Sequence, residues 1–143
     1  MTSTRYQHPK TASRLATAAI IAMACAPGPV GPSSLPQGAI AYEPPAEYLT
    51  WWQRTKACSG HSGRFDHIDW YTVPGVRLID TEIGQKVGLW QRNNGRTSIT
   101  FAGDFVENEL VVSHEMLHDL LAREGHPEEY FVERCGLTWE SWE

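Results

Sequence analysis

The period of the apolar positions changes along this chain, and it separates a strand-rich stretch from a helical one. Glu47 to Lys56 (EYLTWWQRTK) sets Tyr48, Leu49, Trp51 and Trp52 toward one side, the pattern of a short helix. Cys58 to Gly63 is rich in serine and glycine and reads as loop. Phe65 to Val73 (FDHIDWYTV) is dense in β-formers and stops at Pro74-Gly75, a turn signal. Val76 to Ile83 and Val87 to Gln91 are further short strands. Asn93-Asn94-Gly95 is a hairpin turn, because Asn-Gly suits positive φ. Thr97 to Ala102 (TSITFA) then alternates, with Ile99 and Phe101 on one face. These strands are expected to be antiparallel.

After Ala102 the apolar period becomes helical. Asp104 and Glu107 have capping-box spacing, and a helix is expected from about Phe105 to Glu124. Gly125 is placed to serve as its C′ residue, and Pro127 opens a second, short helix reaching about Arg134. Glu128 and Glu129 in its first turn favour the helix dipole, and Cys135-Gly136 ends it. Strands followed by helices give an α+β fold: a short antiparallel sheet with a motif helix and a short C-terminal helix.

Residues 26–45 are rich in proline and glycine and show no apolar period, so they read as a linker, with the folded domain over 46–143. The first 25 residues read as a targeting segment. Arg5, Lys10 and Arg14 form a positive start without any acid, and Leu15 to Ala24 (LATAAIIAMA) is apolar but too short to span a bilayer. Ala22-Met23-Ala24-Cys25 resembles the lipobox of bacterial lipoproteins, in which such a cysteine is lipidated. It departs from that pattern at Ala22 and Met23. An exported chain is therefore expected, held at the cell envelope by a lipid on Cys25, on a periplasmic or extracellular face, with an ordinary cleaved signal as the alternative. Two cysteines then remain, and an even pair in an exported domain reads as a Cys58–Cys135 disulfide.

Charge narrows the partners. All 17 acidic residues follow position 25, against nine basic ones there, and such an acidic body is a poor match for nucleic acid.

The chemistry lies in His114-Glu115-Met116-Leu117-His118. Residues four apart share one helix face, and two imidazoles so placed can hold one Zn2+ at about 2.0–2.1 Å. Glu115 beside them can act as general base on the attacking water. His114 and His118 share their stripe with Leu110, Leu117 and Leu121, so they point inward. A third ligand is needed. His126 lies eight residues beyond His118, too far along a straight helix, but Gly125 and Pro127 let the chain turn back. Glu129 and Glu133 are the other candidates. Asp119 is read as a helix-face acid or as a group orienting a ligand imidazole. The six tryptophans are assigned mainly to the core.

HEMLHDLL followed by GHPEEYF resembles the zincin metallopeptidases, over roughly Val106 to Gly136. It is unlike the metzincins, whose Gly and third His positions are held here by Leu121 and Glu124. The resemblance implies zinc, Glu115 as general base and a peptide or protein substrate. It also implies that the strand before the motif helix is an edge strand that pairs with substrate, which by position is Ile99, Thr100, Phe101 and Ala102. Tyr130, His61 and His67 are candidates to stabilise the transition state. The competing expectation is a zinc-holding but inactive domain that serves as an envelope binding or assembly module.

Overall fold

A computed structural model describes residues 34–138. The targeting segment with Cys25, and Trp139 and Trp142, lie outside the described residues. The fold is α+β. A four-stranded sheet runs in the order β1 (Ile40–Ala41), β2 (Ile68–Val73), β6 (Arg96–Ala102), β5 (Gly88–Asn93). Helices α1 (Ala46–Ser59) and α2 (Glu109–Leu121) pack on one face of it. A separate hairpin, β3 (Ile79–Thr81) and β4 (Gly84–Lys86), covers part of the other face with Ala39 and Val76. A short π-wound helix, α3 (Glu129–Arg134), closes the described chain.

Each element follows from its buried face. Helix α1 buries Tyr48, Trp52, Thr55 and Ser59, one stripe at helical spacing, and leaves Leu49 half exposed. It runs on through Cys58 to Gly60, whose φ of 72° ends it, so the expected loop starts later than Cys58. Asn94 (φ 51°) and Gly95 (φ 80°) form the expected tight β5–β6 turn. The chain also joins the sheet ahead of Glu47. Ile40 and Ala41 pair with Thr72 and Tyr71, inside the stretch read as linker.

Two expectations about the sheet are corrected. It is mixed, because β2 and β6 run parallel. And Thr97 to Ala102 is not an edge: β6 lies between β2 and β5. Ile99, Thr100, Phe101 and Ala102 are all at 0% exposure, so none can meet a substrate strand. Ile99 and Phe101 face the helices, while Ala102 packs with Val73 and Ile79 on the far side. The edge on the helix-motif side is β5.

Helix α2 also begins later than the apolar period implies. Gly103–Phe105 is a separate 3-10 turn, and the cap is Asn108, whose side chain accepts from the Val111 N–H at 3.1 Å. Asp104 therefore caps nothing. The helix stops at Leu121 because Ala122 takes a left-handed conformation (φ 51°), a role expected of Gly125. The Cys58–Cys135 disulfide joins the end of α1 to the end of α3. No helix among the described residues is long and apolar enough to cross a membrane.

Candidate metal centre

His114 and His118 stand one turn apart on α2, with ring centroids 5.0 Å apart. Past Ala122, Gly125 turns with φ 82° and brings His126 back over them, with its ring 4.8 Å from His114 and 4.9 Å from His118. One ligand nitrogen from each of the three lies within 4.8 Å of the others. The Nε2 atoms of His114 and His126 are 2.9 Å apart. Two nitrogens on one tetrahedral ion stand roughly 3.3 Å apart when each bond is near 2.0–2.1 Å. The donor set therefore fits a single small ion. Three histidines close enough to hold a metal ion are present in the fold.

Backbone carbonyls orient two of the rings. His114 Nδ1 lies 2.8 Å from the Leu137 carbonyl and His118 Nδ1 lies 3.0 Å from that of Arg123. A carbonyl only accepts, so each Nδ1 carries the proton and each Nε2 presents its lone pair inward. Phe131, fully buried, sits 4.8–4.9 Å from all three rings. Burial lowers both His114 and His118 to about 4, partly offset by those carbonyl bonds. His126, more exposed, is lowered too, by burial and then by Lys86. All three are neutral near pH 7, as metal ligation requires.

Glu115 faces the same cleft. Burial pushes its carboxyl up to about 8, against the opposing pull of the Trp90 backbone N–H and of Lys86. Its close neighbour is Gly88 on β5, where a Cβ would lie 2.7 Å from Glu115 Oε1 and 2.8 Å from its Cγ. Only glycine lets strand and carboxylate approach this closely. The sequence carried a usable sign of it, since a glycine inside a strand (Val87-Gly88-Leu89) often marks such an approach.

Asp119 has neither role expected of it. It is buried and accepts from Thr97 Oγ1 (2.7 Å), His67 Nε2 (3.0 Å) and Trp90 Nε1 (3.3 Å). The Trp90 indole lies near-parallel to the His118 ring, with centroids 6.1 Å apart. Asp119 thus holds Trp90, whose ring lies beside His118. Among the other candidates, Glu129 pairs with Arg134, and neither Glu129 nor Glu133 joins the histidine cluster. Tyr130 and His61 pack on each other at 5.0 Å, and neither they nor His67 line the cleft.

The cleft holds about 420 Å³. One wall is α2 and the His126 turn. The other is formed by β5 and the hairpin, with Leu78, Ile83, Lys86, Val87 and Leu89 lining it. The chain matches no family model, no curated protein and no solved structure.

Proposed function

We propose that the chain is a zinc-dependent peptidase, with His114, His118 and His126 as the ligands and Glu115 as the catalytic general base. The observation that carries this reading is the convergence of three neutral imidazoles on one point in a cleft that Glu115 also lines. Imidazole nitrogens suit zinc, copper, iron and nickel. Zinc is favoured because three nitrogen ligands with an adjoining carboxylate make the donor set of hydrolytic zinc sites.

When bound, zinc supplies Lewis acidity, polarising a carbonyl and easing deprotonation of water. The remaining work belongs to the chain. Glu115 takes a proton from the attacking water and delivers it to the leaving amine nitrogen. Its raised affinity for protons suits the second half of that task, and the field of a divalent ion favours its ionised form for the first. Gly88 lets the carboxylate lie against β5, and the Trp90 N–H holds it there. The outer edge of β5 replaces Ile99 to Ala102 as the strand open to an extended peptide. The disulfide suits an oxidising compartment, in keeping with an exported chain anchored through Cys25.

The test is metal content and peptide hydrolysis on the full chain. Wild type is expected to hold one zinc per chain. His126→Ala should lose most of it. Glu115→Gln should keep it while hydrolysis falls about 10²–10⁴-fold. Undiminished hydrolysis in Glu115→Gln would sink the mechanism. A zinc-loaded wild type that cleaves no peptide would favour the binding-module reading.

A further inference from the structure

The proposed reaction puts negative charge on the substrate carbonyl oxygen, yet Tyr130, His61 and His67 are not placed to meet it. Arg134 covers the Tyr130 ring at 5.4 Å, and His67 is bonded to Asp119. Among the described residues that line the cleft, Lys86 is the one cation.

Its backbone is tied from two directions. Lys86 pairs with Ile79 across the hairpin, and the carbonyl of the next residue, Val87, accepts from Ala102 N–H in β6 at 2.9 Å. The side chain is half-buried. No carboxylate among the described residues forms an ion pair with it. It lines the same cleft as Glu115 and His126. A cation without a paired acid, on the hairpin wall of a cleft whose other wall carries the histidines, suits an anion arriving between the two.

We propose that Lys86 Nζ donates to the oxygen that becomes negative when a peptide carbonyl is attacked in this cleft. The proposal rests on the hydrolytic reading of the histidine cluster. In that step the water oxygen bonds to the carbonyl carbon and the π pair moves onto the carbonyl oxygen. The pair then returns, the C–N bond breaks, and the amine leaves with the proton held by Glu115. A fixed donor at that oxygen is worth about 10²–10³ in kcat. A free C-terminal carboxylate of a substrate presents the same anionic chemistry, and the test separates the two.

Zinc-loaded wild type, Lys86→Met and Lys86→Arg are compared on C-terminally amidated peptides, on the same peptides with free carboxylates, and by calorimetry with an amidated phosphonate peptide whose anionic oxygen stands in for the oxyanion. Lys86→Met is expected to lower kcat about 10²-fold or more on amidated peptides with KM little changed. Phosphonate affinity should fall in parallel, zinc content should stay constant, and Lys86→Arg should recover most of both. Unchanged kcat and phosphonate affinity in Lys86→Met overturn the proposal and leave the peptidase reading standing. A KM rise confined to free-carboxylate peptides also overturns it, in favour of a carboxylate anchor. If zinc-loaded wild type cleaves nothing, the peptidase reading falls, and phosphonate binding alone decides whether Lys86 receives an anion there.

Discussion

The two walls of the cleft are built differently. On the α2 wall the groups are over-determined. Leu137 and Arg123 carbonyls orient His114 and His118, Phe131 packs on all three imidazoles, and a disulfide two residues before Leu137 ties that segment to α1. On the hairpin wall, Ile79 is the buried anchor, while Ile83 is 77% exposed and Leu78 is 45% exposed. A metal site needs its donors placed within tenths of an ångström before the ion arrives. Under the proposed function the second wall meets substrate, and such a wall gains from being able to adjust. The contrast implies that perturbing the first wall changes stability and metal affinity together, whereas perturbing the second changes neither.

The largest effect should come from cutting the brace. Cys58→Ser with Cys135→Ser opens a loop whose closure is worth about 4–5 kcal/mol in the chain-entropy model. Because Leu137 then loses its tether, zinc affinity should also drop about 10–100-fold, the usual cost of losing a group that orients a ligand. Urea unfolding and a chelator competition measure the two losses. Unaltered zinc affinity would show that His114 is oriented independently of the disulfide.

The next effect is proton-linked and belongs to the metal-free chain. Glu115 has its folded value raised to about 8, so its contribution to stability is complete below its unfolded value near 4.5 and is lost as pH rises through 8. His114 and His118 have theirs lowered to about 4, so their contribution is present above 6.5 and is lost as pH falls toward 4. Glu115→Gln removes only the alkaline loss. Its stability relative to wild type should rise by about 2–4 kcal/mol between pH 5 and pH 8, read by urea unfolding in chelator. The same difference at both pH values would show that Glu115 does not gain a proton on folding.

The smallest effect is expected on the hairpin wall. Ile83→Ser should change stability by no more than about 0.5 kcal/mol and leave zinc content alone. A loss several times larger would mean that the hairpin belongs to the cooperative core and that the contrast between the walls is false.

Several features were legible because their causes are local. The i, i+4 histidines lie on one helix face whatever packs against it. Asn94-Gly95 makes a tight turn through its own backbone preferences. With three cysteines and one assigned to an anchor, the Cys58–Cys135 pairing needed no geometry. Other features depend on neighbours that a linear reading cannot supply. Thr97 to Ala102 alternates like a strand with one face in solvent, because Thr100 and Ala102 are small enough to be buried without an apolar signature. Only the insertion of β6 between β2 and β5 shows them to be covered. Asp119 reads as a surface acid until Thr97, His67 and Trp90, up to 52 positions away, converge on it.

The sequence by itself determined the α+β class, the motif helix and the chemistry of its donors, since these follow from periodicity and from residue type. Tertiary structure decided which strand is open, which acid is structural, and that Gly88 and Lys86 border the cleft. It also brought His126 within reach of His114 and His118, through left-handed turns at Ala122 and Gly125. The physical reason is the same in each case. Burial, edge position and proximity are properties of pairs of segments distant in the chain, and they come into being only when the core closes.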